Sequence, residues 1–273
     1  TISRIYSGEG RLIDEFAEER RIFVPIEEIP DLVKHAFVSA EDKNFYTHGG
    51  VDLVGTVSAL LGNASNGSNR GGSSITQQYV KNVLQQNCES KAKSNDEVEA
   101  CFTSTTVNSG SEGYQRKLQE MRYAIQLEKA YSKETILLGY LNITNFGGTV
   151  YGIGAAAKHY FSTTAANLTI AQAATIAGMV QAPNTYRIDE PEGTTQDDAG
   201  NAVNSAADGY KLTLDRRNYV LERMLDLGKI SQAEYDEAYN SPITPQVSEQ
   251  TQGCQTAAGA EFFCEYVRSV LLT

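Results

Sequence analysis

Capping signals recur along this chain, and each opens a stretch whose apolar residues return at helical spacing. Ser74-Ile75-Thr76-Gln77 is a capping box, with Ile75, Tyr79, Val80, Val83 and Leu84 on one inward face. Ser132 caps a stretch holding Ile136, Leu137, Tyr140 and Leu141, and Ser231-Gln232-Ala233-Glu234 is another box, closed by Pro242. Thr169 starts an Ala-rich helix over 170–181 that Pro183 stops, and so much alanine implies close helix packing. Asp31 caps a helix presenting Leu32, Val33, Ala36, Phe37 and Ala40 that ends near Glu41. A helix over 214–227 ends at Gly228, and Tyr114, Leu118, Met121 and Ile125 mark another by their 4-3-4 spacing. A chain that writes its own helix starts this often folds as a mainly α domain. The exception is the N-terminus. Arg4-Ile5-Tyr6, a Ser7-Gly8-Glu9-Gly10 turn and Arg11-Leu12-Ile13 read as a hairpin, with Arg21-Ile22-Phe23-Val24 as a third strand. Residues 86–113 and 190–212 lack periodicity and read as surface loops.

The 273 residues, 41% of them hydrophobic, suffice for one large core or two modest ones and are too apolar for a disordered chain. No run approaches the length of a membrane span, and no charged-then-apolar leader opens at Thr1. A net charge of −11 argues against nucleic acid as a partner. It leaves an anionic substrate open, because a site needs only a few local cations. The four cysteines form no C-x-x-C pair and only three histidines accompany them, which disfavours zinc. All four lie in polar, loop-like sequence where a free thiol would be exposed. The expectation is therefore two local bridges, Cys88–Cys101 and Cys254–Cys264, formed in an oxidising, extracytoplasmic space. Four unrelated thiols are the competing reading.

Three constellations have chemical content. Glu41-Asp42-Lys43-Asn44-Phe45-Tyr46-Thr47-His48-Gly49 sets two carboxylates at a helix end, followed by aromatics and a histidine. The negative end of the helix dipole and the nearby rings raise the pKa of Glu41, which suits a general acid or base. A surface acidic pair beside a structural histidine accounts for the same residues. In Gly71-Gly72-Ser73-Ser74 through Lys81, the residues Ser74, Gln78 and Lys81 share a helical face. Hydroxyls, close-approach glycines and a lysine at a helix N-terminus suit a phosphate or a sugar hydroxyl. An ordinary capped helix with a polar solvent face is the alternative, and a Walker A loop is excluded because no Gly-Lys-Ser/Thr follows. Arg116 and Glu120 are either an i,i+4 ion pair or a cation with a second carboxylate for a phosphorylated ligand. The segment from Lys133 to Asn142, with Phe146-Gly147 and Tyr151-Gly152-Ile153-Gly154, reads as packing.

In this order these segments resemble the peptidoglycan glycosyltransferase family, the polymerising domain of class A penicillin-binding proteins. The likeness runs from about Arg21 to Pro242, and Gln181-Ala182-Pro183-Asn184 with Tyr186 is a fifth matching segment. It implies a mainly α, lysozyme-like fold with a small membrane-facing jaw subdomain and a minor N-terminal β element. Residues 1–29 would be an extended linking segment, 30–245 the glycosyltransferase domain, and 246–273 the start of a linker toward a transpeptidase domain outside this sequence. By position, Glu41 matches the family's base and Glu120 its second carboxylate. Lys81 and Arg116 match residues facing the diphosphate, while Asp42, Phe45, His48, Ser74 and Gln78 match groups lining the cleft.

The implied substrate is lipid II, the undecaprenyl-diphosphate-linked disaccharide-pentapeptide. It would be joined into β-1,4 glycan strands with inversion and release of the lipid diphosphate. The resemblance makes no cofactor obligatory, leaves room for a divalent cation (Mg or Mn), and assigns no metal ligand. It implies as partners lipid II, the growing glycan chain, the bacterial membrane surface and cell-wall synthesis proteins, on the extracytoplasmic face of the membrane. Ser74 stands where the family usually has Thr, and residues 86–113 are longer than the usual connection. Ser90-Lys91-Ala92-Lys93 matches S-x-x-K but has no S-x-N or K-[ST]-G beside it, and reads as chance. The stretch from Val51 to Leu61 reads equally as core or as a surface resting on lipid. A muramidase or lytic transglycosylase using Glu41 as general acid, and a non-catalytic wall-binding module, are the competing functional readings.

Overall fold

A computed structural model describes residues 3–6, 12–16, 20–52, 72–106, 110–248 and 266. The fold is mainly α, as the capping signals imply. Its centre is the helix Ile170–Met179, here α7, in which Ala173, Ala174, Ile176, Ala177 and Met179 are fully buried. The Thr169 hydroxyl and the Gln172 side chain form a reciprocal capping box at its start. Small side chains let α1 (Asp31–Glu41) and α8 (Lys211–Asp226) pack against it from two sides. Fully buried Phe37, Val33 and Ala36 turn α1 toward that core, where Phe37 meets the rings of Tyr140 and Phe146 edge-on. Asp31 does not cap α1. Pro30 occupies the cap position, and Asp31 is the first helical residue, paired with Lys34 at 3.0 Å.

A second group surrounds the long α2 (Ile75–Glu89), which packs on α3 (Asn95–Thr106), α4 (Gly110–Ala130) and α5 (Lys133–Ile143). Ser74 and Ser132 cap α2 and α5 as their sequences imply. Two expectations fail here. Residues 86–113 are not a loop: α2 runs to Glu89, α3 occupies most of the interval, and α4 starts at Gly110. Helix α3 shows little periodicity because it buries little. Val98 and Phe102 are exposed, and buried Cys101 ties the helix to Cys88 on α2 through a disulfide with a Cα–Cα distance of 5.7 Å. The stripe Tyr114, Leu118 and Ile125 faces outward, with Tyr114 76% exposed. The inner face of α4 carries Glu120 and Ala124 instead. On α2, Val83 also points outward.

The chain returns to the first group through β4 (Val150–Tyr151), α6 (Ile153–Phe161) and α7. At the N-terminus β1 (Ser3–Tyr6) and β2 (Leu12–Phe16) form the expected antiparallel hairpin. The third strand is shorter than expected. β3 (Arg20–Arg21) leaves the hairpin and pairs in parallel with β4. Asn142 anchors the segment that follows: its side chain accepts from the Val24 amide and donates to the Val24 carbonyl, each at 2.9 Å. Residues 190–212 are ordered as a ribbon of β5 (Thr195–Gln196) and β6 (Ala202–Val203). Buried Asn204 ties this ribbon to the Thr185 and Arg187 carbonyls and to the start of α8. The Ser231–Glu234 box opens α9 (Gln232–Asn240). Among the described residues no helix is long and apolar enough to cross a membrane. Cys254, Cys264 and most of the 51–61 stretch lie outside the described residues.

The Cys88–Cys101 bridge replaces the apolar face that α3 lacks. A loop of this size contributes about 3 kcal/mol on the chain-entropy model. Reduction, or replacement of both cysteines by serine, should therefore speed amide exchange across Asn95–Thr106 by about 10²-fold while leaving α7 unchanged. Unaltered exchange in α3 would contradict this account of what holds it.

Candidate active site

The end of α1 delivers Glu41 and Asp42 in succession, and the structure puts them to different uses. Asp42 leaves the helix at its C-cap. Its Oδ2 accepts from His48 Nε2 at 2.8 Å and from the Ile75 amide at 3.0 Å, so one carboxylate joins α1, the 43–50 turn and the N-terminus of α2. Ser74 completes the joint, donating from Oγ to the Gly50 carbonyl at 2.6 Å and accepting from the Gln77 amide. Gly50 has φ +92, and a Cβ there would lie 2.7 Å from the Ala124 carbonyl group, so the turn passes tightly over α4. Phe45 is fully buried beneath this joint with the Lys133 ammonium 4.6 Å from its ring centre. Asp42, Phe45 and Ser74 are all buried and brace this joint. His48 lies between two carboxylates, with Nδ1 4.0 Å from Glu128. Lys133 closes that side, 2.6 Å from Glu128 and donating to the His48 carbonyl at 2.7 Å.

Glu41 points the other way. Its Oε2 accepts from Gln78 Nε2 at 2.9 Å, and its Oε1 pairs with Arg216 Nη2 at 3.2 Å. Gln78 is itself oriented by the Tyr140 hydroxyl, which donates to its Oε1 at 3.1 Å. Burial raises the pKa of Glu41, and the hydrogen bond from Gln78 and the charges of Arg216 and Lys81 partly oppose that rise. The direction is the one implied by the sequence, but the dominant cause is desolvation.

Lys81 lies one turn beyond Gln78 on α2. Burial pulls its pKa down, as do the charges of Lys117 and Arg116, while Glu120 and Glu41 oppose the fall. Glu120, 2% exposed, is the hub of the facing α4 surface. Its Oε1 is held by Arg116 and its Oε2 by Lys117 Nζ at 3.1 Å, and Lys117 also donates to Ser73 Oγ. Arg116 and Glu120 are thus an ion pair and part of the site at once. Lys81, Arg116 and Lys117 bring three cations around one buried carboxylate, an excess of positive charge that suits a polyanion. Among the described residues no group of three or more His, Cys, Asp or Glu side chains is arranged to hold a metal ion.

Ser74, Gln78 and Lys81 share one side of α2 as their spacing implies, and Glu41 at the end of α1 meets that side through Gln78, with Arg116 and Glu120 facing Lys81 from α4. Sequence reasoning missed Lys117, although its i,i+3 relation to Glu120 was visible, and the Glu128–Lys133 pair, whose segment read as packing. It also missed Arg216, which no local motif could reveal, because it meets Glu41 across 175 positions.

The profile of the transglycosylase family matches residues 9–225. Penicillin-binding protein 1A of Rickettsia bellii is 36% identical over 276 residues, spanning 100% of this chain and 29% of that protein. Penicillin-binding protein 1A/1B of Bacillus subtilis is 39% identical over 238 residues, 86% of this chain and 22% of that protein. The solved penicillin-binding protein 1A of Haemophilus influenzae shares 23% identity over 98% of this chain and 23% of that chain, with a TM-score of 0.47. The chain spans less than a third of the length of these relatives. The match over residues 9–225 carries the conclusion that this chain belongs to the transglycosylase family.

Proposed function

We propose that this chain is a peptidoglycan glycosyltransferase unit that polymerises lipid II at the extracytoplasmic face of a bacterial membrane. The observation that carries the reading is geometric: Glu41 is held by Gln78 of α2, and one turn further along α2 Lys81 faces the Arg116–Glu120–Lys117 cluster of α4. Glu41 takes the proton from the 4-hydroxyl of the acceptor sugar as that oxygen attacks the anomeric carbon of the lipid-linked glycan donor. The new C–O bond forms on the face opposite the departing group, so the configuration inverts. The bond from the anomeric carbon to the diphosphate oxygen breaks, and its electron pair leaves with the lipid diphosphate. Lys81 and Arg116, with Lys117, stand where that charge accumulates. Glu120 keeps Arg116 and Lys117 gathered before the substrate arrives. Lipid II, the growing strand, the membrane surface and other cell-wall synthesis proteins are the partners this reading requires.

A wall-cleaving muramidase with Glu41 as general acid is the second reading. The raised pKa of Glu41 would serve it equally, but hydrolysis of a neutral glycosidic bond gives Lys81, Arg116 and Lys117 nothing to neutralise.

Two substitutions test the assignment. Glu41→Gln keeps the shape and cannot take the proton, so lipid II turnover should fall by about 10²–10⁴-fold with the fold retained. Near-normal turnover would sink the assignment. Lys81→Ala should lower turnover by about 10²-fold and weaken a short-chain polyprenyl diphosphate in calorimetry. The exposed control Lys158→Ala should do neither. Equal ligand affinity in wild type and Lys81→Ala would refute the diphosphate role.

A further inference from the structure

We infer that Arg216 is a positioning residue for the base, fixing Glu41 Oε1 while Gln78 fixes Oε2 and supplying the positive charge that lets a carboxylate stand in that enclosed place. The kinetic consequence rests on the reading of Glu41 as base, whereas the pairing itself does not.

The arrangement is built on α8 and α7. Arg216 and Arg217 are adjacent yet take opposite directions. Arg217 is buried and holds the end of α9, donating to the Ser241 carbonyl at 2.7 Å and the Tyr239 carbonyl at 2.9 Å. Arg216 crosses α7 at Gly178, where an added Cβ would stand 3.0 Å from Arg216 Cγ, and its Nε donates to the Gly178 carbonyl at 3.4 Å. The guanidinium lies over the ring of Tyr219, 4.8 Å from its centre. Its side chain retains 14% of its exposure and that of Glu41 11%, so water screens the pair little. The stem is therefore placed by packing before any substrate binds, and the charge is delivered to a single oxygen.

Several groups face Glu41. Gln78 and Lys81 come from α2, Tyr140 from α5, Arg216 from α8, and Asp42 follows it in the chain. Gln78 is neutral, and Tyr140 is spent on Gln78. Asp42 is itself a carboxylate committed to His48 and the Ile75 amide. Lys81 acts on Glu41 through space and is drawn at least as strongly to Glu120. Among the described residues, Arg216 is thus the cation in direct contact with Glu41. Burial alone would favour the protonated acid, which cannot accept a proton. An opposite charge at this range opposes that effect by favouring the carboxylate, which is worth about one to three pH units. Too strong a pairing would make a poor base, and one monodentate contact with a neutral donor on the other oxygen avoids that.

The test is a titration of the full chain carrying ¹³C-labelled glutamate side chains, with the Glu41 carboxyl resonance assigned by its loss in Glu41→Gln. In parallel, the pH dependence of kcat/KM for lipid II is recorded. Arg216→Gln and Arg216→Ala remove the charge with different packing, so the failure of one to fold leaves the other as the test. Arg216→Lys retains the charge. The expected result is a Glu41 midpoint, and an acidic limb of kcat/KM, moved upward by about one unit or more in the charge-removing variants. Activity should recover toward high pH, and Arg216→Lys should stay near wild type. A Glu41 midpoint unchanged from wild type, with a loss of rate uniform in pH, would overturn the inference and leave Arg216 a packing residue. If the midpoint moves but the wild-type chain turns over no lipid II, the pairing stands and the glycosyltransferase reading falls.

Discussion

One oxygen of Asp42 serves two donors, the His48 ring and the Ile75 amide, and thereby fastens the end of α1 to the beginning of α2. Everything else in the cleft is measured from that joint. Glu41 precedes Asp42 by one residue, and Gln78 and Lys81 follow Ile75 within two turns. Fixing the joint therefore fixes Glu41 relative to the groups beside it. Phe45 and the Gly50 turn seal this charge from water, and it is tolerable there because the His48 ring and the Ile75 amide donate to it and Glu128 and Lys133 extend the network outward.

The two carboxylates of the cleft meet contrasting surroundings. Glu41 has a neutral amide on one oxygen and a single cation on the other, in a place where burial favours its proton. Glu120 is enclosed by Arg116 and Lys117, with Lys81 nearby. The first environment suits a group that must take up a proton and release it. The second suits a fixed negative charge whose work is to hold cations in place. Environment, more than residue type, separates the roles.

Much of the fold is legible in the sequence where its cause is local. The boxes at Ser74 and Ser231 and the cap at Ser132 are short-range hydrogen bonds, and the structure contains each of them. Periodicity is a weaker guide, because it shows that a face exists without saying where the face points. Tyr114, Leu118 and Ile125 form a true stripe that faces outward, since the opposite side of α4 is committed to Glu120 and Ala124. Helix α3 is misread for a related reason: a helix held by a disulfide needs no apolar period. In the site, Gln78 and Lys81 are readable from helical spacing. Arg216 is not, because only the packing of α8 over the small residues of α7 brings it to Glu41.

The central claim of the proposal is spatial: Glu41 at the end of α1, as proton acceptor, and Lys81 of α2 with Arg116 of α4, as the diphosphate site, adjoin the same face of α2. A crystal structure with a short-chain lipid-linked disaccharide diphosphate bound tests it most directly. The account predicts diphosphate oxygens within hydrogen-bonding distance of Lys81 and Arg116, with the anomeric carbon turned toward Glu41. A diphosphate seated away from Lys81 and Arg116, or an anomeric carbon facing away from Glu41, would contradict it.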